Sequence, residues 1–157
     1  MFNVDGSSLG DSGRAGAGGL IRRGDGSRVI GFSCFLGIAN STYAELMAVY
    51  YGLNLAKNNG CSYIHCYSDS KAVIELISKP IDKSHYYASA IANIKELMIL
   101  DWEVNLSHTL REGNATADFL AKLGSNNENK MKIWNSPPED LKSLLLSDST
   151  RVLHSRF

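Results

Sequence analysis

The sequence predicts a single domain of the α/β or α+β class. Segments that alternate polar and apolar residues, as strands do, are followed along the chain by segments with helical periodicity. Three strand-like segments come first, and two more are separated by helices. The length of 157 residues corresponds to one domain with a core large enough to fold unaided.

The first three predicted elements are strands of an antiparallel meander. In the first strand, Phe2 and Val4 alternate with polar neighbours. The second strand, about 14–23, is rich in glycine and alanine, which indicates close approach by neighbouring backbone or substrate. Residues 24–26 have the chemistry of a hairpin turn. One face of the third strand carries Ile30, Phe32, Cys34 and Leu36.

A helix follows, with Ser41 or Thr42 as its predicted N-cap. Thr42 and Glu45 have the spacing of a capping box, which places Glu45 in the first turn. The helix is predicted to end at 58–60, because Asn-Asn-Gly tolerates a left-handed conformation. Its buried stripe is predicted to comprise Leu46, Val49, Tyr50, Leu53 and Ala56.

The next elements are a strand and two helices. A strand over 62–67 leads to a short helix that opens at Asp69 and Ser70 and stops before Pro80. A longer helix covers about 84–100. Its predicted packing residues are Ile91, Ile94 and Met98.

A fifth strand and a last helix complete the predicted domain. Residues 102–108 alternate as on a strand, and 111–113 form a loop. Asn114 is the predicted cap of the last helix, which ends near Gly124.

The composition changes beyond this helix. Residues 125–135 are polar and rich in asparagine, which is typical of a linker. A Pro-Pro pair then precedes a short amphipathic segment over 140–146. We therefore predict a domain over 1–124, followed by a polar linker and short tail over 125–157.

The charge balance, the apolar runs and the cysteines exclude several classes of protein. Sixteen basic residues balance sixteen acidic ones, which excludes a strongly basic binder and allows a local basic surface. Neither a secretory signal nor a membrane-spanning apolar run is present, so we expect an intracellular protein of the nucleus or cytoplasm, not secreted and without membrane contact. The three cysteines, Cys34, Cys61 and Cys66, lack a Cys-x-x-Cys pair, which favours reduced thiols over a zinc site or disulfide.

Four acidic residues lie beside the ends of predicted elements. They are Asp5 at the end of the first strand, Glu45 in the first turn of the first helix, Asp69 after the fourth strand and Asp118 on the last helix. Such dispersed carboxylates are what a divalent-metal site needs. Glu45 as a capping residue, Asp69 as a helix cap and Asp118 as a solvated acid are the alternatives. A shared site accounts for all four at once.

Four motifs carry a family resemblance over roughly residues 1–124. They are Asn3-Val4-Asp5-Gly6-Ser7, Ala44-Glu45-Leu46, Tyr67-Ser68-Asp69-Ser70, and His108-x-x-Arg111-Glu112-x-Asn114-x-x-Ala117-Asp118-x-Leu120-Ala121. In this order they resemble type 1 ribonuclease H, most closely the plant RNase H-like domain found alone or behind retrotransposon reverse transcriptases. The resemblance implies a five-stranded mixed sheet with helices on both faces and the first strand central.

The resemblance also implies an activity and a site. The expected function is a Mg²⁺-dependent endoribonuclease that hydrolyses the RNA strand of RNA/DNA hybrids. Two Mg²⁺ ions, with Mn²⁺ as a substitute, are expected on Asp5, Glu45, Asp69 and Asp118, and His108 matches the mobile catalytic histidine. Nucleic-acid contacts are expected from Gly6, Ser7, Ser8, Arg14, Ser41, Lys71, Arg111 and Asn114, with Lys122 as a further cation.

Two positions depart from the bacterial pattern, because Asp11 and Ser41 stand where amides are usual. Met1 begins almost at the first strand, so we expect a truncated gene product or an excised domain. We also expect a monomer. Three other functions stay open. They are a catalytically weak or inactive nucleic-acid-binding or regulatory module, a protein-interaction module using the tail from Leu141 to Leu145, and an integrase-type transferase. The block from His108 to Asp118 disfavours the transferase.

Overall fold

The computed structural model describes residues 2–9, 13–22, 29–126 and 131–134. The strands are β1 (Phe2–Ser8), β2 (Gly13–Arg22), β3 (Val29–Ala39), β4 (Tyr63–Ser68), β5 (Glu103–His108) and β6 (Lys132–Trp134). The helices are α1 (Ser41–Asn58), α2 (Lys71–Ser78), α3 (Ala88–Met98) and α4 (Ala115–Asn126), and a short 3₁₀ helix, Arg111–Asn114, leads into α4. None of the helices in these ranges is long and apolar enough to cross a membrane.

Strand β1 lies inside a mixed sheet with the order β5-β4-β1-β2-β3-β6. It pairs antiparallel with β2 and parallel with β4, which in turn pairs parallel with β5. The predicted α/β class, the opening meander and the interior position of the first strand are confirmed. The predicted hairpin turn at 24–26 lies outside the described residues.

The sheet has one strand more than the five predicted. Strand β6 falls within the predicted linker and pairs antiparallel with β3, with Trp134 opposite Gly31. Trp134 packs on the apolar pair Leu20 and Leu120, and its Nε1 donates to Ser33 Oγ at 3.4 Å. A three-residue strand in a polar segment has too little alternation to be predicted. The amphipathic tail at 140–146 lies outside the described residues.

Helix α1 packs on the face of the sheet that carries Phe2 and Val4. A Cβ atom at Gly52 would overlap the Phe2 ring, so this glycine lets the helix lie close to β1. The predicted stripe is confirmed in Leu46, Val49, Leu53 and Ala56, which are buried, while Tyr50 is partly buried against the same core.

The cap of α1 differs from the prediction. Asn40 is the N-cap, and its Oδ1 accepts a hydrogen bond of 2.9 Å from Tyr43 N. The predicted caps Ser41 and Thr42 are the first residues of the helix instead. Glu45 therefore lies in the second turn, and its capping-box role is wrong. Asparagine is as strong an N-cap as serine or threonine, so three successive candidates left the start ambiguous.

The N-cap of α2 excludes the alternative role of Asp69 as a helix cap. Ser70, rather than Asp69, is the N-cap, and its side chain accepts from Val73 N at 3.3 Å. The helix ends before Pro80, as predicted. The following helix, predicted over 84–100, is shorter, and it buries Ile91 and Ile94.

Helix α4 lies on the opposite face, across β1, β2 and β3. Gly16 and Gly18 of β2 make this possible, because a Cβ atom at either would overlap the α4 backbone around Ala121 and Ser125. The Gly/Ala-rich strand therefore serves close approach by neighbouring backbone, one of the two roles that its composition predicts.

Candidate metal and nucleic-acid site

Asp5 and Asp69 are adjacent because their strands are parallel neighbours. Val4 is opposite Ser68 in the register of β1 and β4, so Asp5 within β1 lies next to Asp69, the residue directly after β4. Glu45 reaches the same place from α1. A Cβ atom at Gly6 would overlap the backbone of Ala44 and Glu45, so only glycine allows this contact.

These three carboxylates form a compact cluster. Asp5, Glu45 and Asp69 each offer an oxygen atom, and these oxygens all lie within 4.8 Å of one another. Asp5 is only 4% exposed. Three acids from separate parts of the sequence therefore meet where β4 ends beside the middle of β1.

Burial and mutual repulsion disfavour the charged forms of this cluster. Burial raises the pKa of Asp5 most, and the charge of Glu45, a hydrogen bond to Glu45, the charge of Asp69 and a hydrogen bond to Asp118 raise it further. Burial also raises the pKa of Glu45, and the charge of Asp69 adds to this. Two hydrogen bonds lower the Glu45 pKa, one with the Asp5 side chain and one with the backbone N–H of Gly6.

Asp118 lies beside this cluster on α4. Its hydrogen bond to Asp5, which contributes to the raised Asp5 pKa, places it next to the central strand. Its Oδ2 is 3.0 Å from Lys122 Nζ, and its side chain is 44% exposed. Asp118 is therefore partly exposed and has a cationic partner.

The donor set fits a divalent cation. Glu45 Oε2 is buried and has no hydrogen-bond partner in the part of the chain that the structure describes. A buried acceptor of this kind is costly unless another group satisfies it. Mg²⁺ prefers hard oxygen ligands and is bound by a few carboxylates while it keeps several waters. The cluster and Asp118 supply such oxygens.

An open cleft of about 660 Å³ gives access to the acids. Of the residues predicted to bind nucleic acid, Gly6, Ser7, Ser8, Ser41 and Arg111 line it. Thr42, Ser70, Ala115 and Lys122 also line it, and of these only Lys122 was predicted. The serine-rich wall and the two cations give the cleft a polar surface around the acids.

The Ser8 hydroxyl has a structural partner within this wall. Its Oγ donates to the backbone oxygen of Ala39 at 2.6 Å and accepts from Gly13 N at 3.4 Å. Ser8 thus ties the end of β1 to the ends of β2 and β3. This role was not predicted.

Asn114 is buried beneath the site rather than exposed beside it. It is 1% exposed, its Nδ2 donates to Val4 O at 2.9 Å, and its Oδ1 accepts from Asn3 Nδ2 at 3.0 Å. Its burial leaves no surface for the predicted contact with nucleic acid. The polar residue Asn3 within an interior strand was the sequence signal for such a partner.

The other predicted residues lie outside the cleft lining. Arg14 Nε donates to Ser125 O at 3.0 Å, and its guanidinium lies 4.5 Å from the centre of the Phe35 ring, so it ties β2 to the end of α4. Lys71 is the exposed first residue of α2. His108 is exposed at the end of β5, opposite Ser68. The catalytic role of His108 stays a prediction.

Comparison with known proteins places the chain in a family. A family model described as reverse transcriptase-like matches residues 3–124. The chain belongs to this RNase H-like family. The sequence-based resemblance to type 1 ribonuclease H is confirmed.

Relatives of this family agree with the assignment. An Arabidopsis thaliana protein named as a ribonuclease H is 31% identical over 147 residues, which cover 94% of this chain and 24% of the relative. The chain thus spans about a quarter of the length of that relative.

Solved structures share the fold. RNase H1 from Halobacterium salinarum superposes with a TM-score of 0.74 at 26% identity, over 80% of this chain and 96% of the other. The N-terminal RNase H domain of a Mycobacterium tuberculosis protein gives a TM-score of 0.73 at 27% identity, over 80% and 91% of the two chains. LC11-RNase H1 in complex with an RNA/DNA hybrid gives 0.71 at 20% identity, over 80% and 95%, and shows the fold alone.

Proposed function

We propose that this chain is an endoribonuclease that hydrolyses the RNA strand of RNA/DNA hybrids and leaves 5′-phosphate and 3′-hydroxyl ends. The observation that carries the proposal is the cluster of Asp5, Glu45 and Asp69 oxygens within 4.8 Å, beside an open polar cleft. The ribonuclease H name of the Arabidopsis relative supports it.

The proposed cofactor is a pair of Mg²⁺ ions, for which Mn²⁺ is a substitute. Asp5, Glu45, Asp69 and Asp118 would hold them. When bound, such ions neutralise charge on the attacking and leaving oxygens of a phosphodiester and lower the pKa of water. The unsatisfied Glu45 Oε2 supports this proposal, because a buried acceptor in an all-oxygen cluster suits a hard cation.

The cleft wall is proposed to select the substrate. Distinguishing RNA from DNA requires contact with 2′-hydroxyl groups, which small polar side chains and backbone provide in a shallow groove. Gly6, Ser7 and Ser41 line the cleft together with the acids, which supports this role for them. Arg111 and Lys122 lie in the same wall and would contact phosphates.

His108 is proposed to assist the departure of the leaving oxygen or of the product. Its exposed position at the end of β5 leaves the imidazole accessible to solvent, unlike a packed core histidine. A histidine changes its charge near neutral pH, which suits proton transfer.

The direct test uses a hybrid labelled on the RNA strand, incubated with the chain and Mg²⁺. We expect cleavage within the RNA strand, 5′-phosphate ends on the products, and no cleavage with a chelator or of a duplex DNA control. A hybrid that is bound but not cut would overturn the enzymatic proposal. It would favour the alternative of an inactive nucleic-acid-binding module.

A further inference from the structure

Lys122 pairs with one of the proposed metal ligands. Its Nζ lies 3.0 Å from Asp118 Oδ2, and the Lys122 side chain is 63% exposed. The two residues are one helical turn apart on α4, with the acid first, which is the favourable order for such a pair. Lys122 also lines the cleft, together with the acids and Arg111.

Asp118 lies beside the three clustered acids and differs from them in its contact with Lys122. The oxygens of Asp5, Glu45 and Asp69 form the group within 4.8 Å, and Asp118 is not a member of it. One oxygen of Asp118, Oδ2, contacts the ammonium group of Lys122. A divalent cation that used this oxygen would have to replace the ammonium group, because two cations at contact distance from one carboxylate repel each other.

We propose that Lys122 is an exchangeable counter-ion: it holds Asp118 in the metal-free chain, releases it to a divalent cation, and then binds a phosphate of the nucleic acid. This inference rests on the proposed metal site. The release follows from the shared oxygen Asp118 Oδ2. The phosphate contact follows from the position of Lys122 in the cleft wall with Arg111, since exposed lysines neutralise backbone phosphates.

The first test measures Mg²⁺ binding without nucleic acid, by calorimetric titration. Lys122→Met removes the competing charge and keeps the apolar stem, so we expect Mg²⁺ to bind about two- to five-fold more tightly, the range that an exposed ion pair allows. Lys122→Arg keeps the charge and should bind Mg²⁺ like the wild type. Lys83→Met is the matched control, since Lys83 is exposed and lies outside the cleft lining. Thermal unfolding with a chelator verifies that each variant is folded.

The second test measures the KM for the hybrid at several salt concentrations with Mg²⁺ present. If Lys122 binds a phosphate, Lys122→Met should raise KM and lower the slope of log KM against log salt by about one. A change confined to folding would leave this slope unaltered.

The outcomes separate this inference from the proposed function. Unchanged or weaker Mg²⁺ binding by Lys122→Met would overturn the counter-ion role, even if the wild type cleaves hybrids. Tighter Mg²⁺ binding with an unchanged salt slope would overturn the exchange to phosphate. A wild type that binds Mg²⁺ but does not cleave hybrids would overturn the ribonuclease proposal alone. A wild type that binds no Mg²⁺ would overturn both.

Discussion

Asn114 Nδ2 donates a hydrogen bond of 2.9 Å to the backbone oxygen of Val4, the residue directly before Asp5. The bond joins the start of α4 to β1 at the point where the acids meet. Asn3 Nδ2 completes the connection, because it donates to Asn114 Oδ1 at 3.0 Å and to Gly113 O at 3.4 Å. Two amides therefore set the distance between Asp5 and the helix that carries Asp118.

We expect Asn114→Ala to lower the free energy of unfolding by about 1–3 kcal/mol, because the buried Val4 oxygen and the Asn3 amide each lose a partner. Cleavage per folded molecule should also fall, since α4 is no longer held against β1. Denaturant unfolding and hybrid cleavage on the same sample measure both effects. Asn105→Ala is the control: Asn105 is exposed on β5, and its contact with Tyr63 OH is 3.5 Å long. An Asn114→Ala variant as stable as the control would contradict the positioning role.

The Asp5→Asn variant tests the metal site. Asn has nearly the same shape as the protonated form of Asp5, which the raised pKa favours in the metal-free chain, so the fold should be retained. It cannot supply an anionic ligand, and we therefore expect cleavage of the hybrid to be abolished. Circular dichroism tests whether the fold is retained, and a labelled-hybrid assay on the same preparation measures cleavage. Cleavage at the wild-type rate would remove Asp5 from the site.

The acid cluster also predicts how stability depends on pH. The folded-state pKa values of Asp5 and Glu45 are raised, so the metal-free folded chain binds more protons than the unfolded chain. The stabilising contribution is complete below about pH 4, the ordinary range for these groups, and is lost as the pH rises through the raised folded-state values. With a chelator present, the wild type should therefore lose stability relative to Asp5→Asn between pH 5 and 8, in steps measured by denaturant unfolding. If the free energy of unfolding changes with pH in the same way in both proteins, the acid cluster does not destabilise the metal-free fold at higher pH.

The glycines of β2 are expected to matter for the site through α4. A Cβ atom at Gly18 would overlap the backbone around Leu120 and Ala121, so Gly18→Ala should push α4 away from the sheet and displace Asp118. We expect a loss of about 1–3 kcal/mol in stability, as for overpacking, together with slower cleavage. At Gly31 the nearest atom to an added Cβ is the flexible end of Leu120, at 3.3 Å, which makes Gly31→Ala the milder comparison. Equal thermal midpoints for the two variants would count against this packing argument.

Sequence patterns predicted the meander and the interior first strand because their alternation and glycine content are local signals. They did not predict β6, since Trp134 pairs with Gly31 across about a hundred residues and its segment is polar. They also misplaced the α1 cap, because three successive residues, Asn40, Ser41 and Thr42, are all competent caps.

At the candidate site, too, local sequence patterns were informative, whereas contacts between distant residues were not predicted. The predicted element ends pointed to the four acids, and the structure brings Asp5, Glu45 and Asp69 together, although β1 continues past Asp5 to Ser8. The burial of Asn114 was not predicted, because an asparagine before a helix has the same pattern whether it caps the helix or satisfies a distant strand. Arg14 was likewise predicted to contact nucleic acid because it is a cation. Its guanidinium instead donates a hydrogen bond to Ser125 O and lies over the Phe35 ring.

The last prediction concerns His108. Strand β5 ends at this residue, which is exposed, while its neighbour Thr109 donates a backbone hydrogen bond to Ser68 O at 2.8 Å. The backbone at this position is therefore held against β4, and the imidazole faces solvent. If the imidazole assists the leaving oxygen or product, His108→Ala should slow turnover by ~10²-fold, the lower end for general acid–base help. The thermal midpoint and Mg²⁺ affinity should change little, because an exposed side chain is removed and the four acids remain. His85→Ala is the matched control, since His85 is also exposed and does not line the acidic cleft. A role confined to stability predicts the reverse, a lower midpoint with an unchanged rate per folded molecule, and that result would exclude His108 from the mechanism.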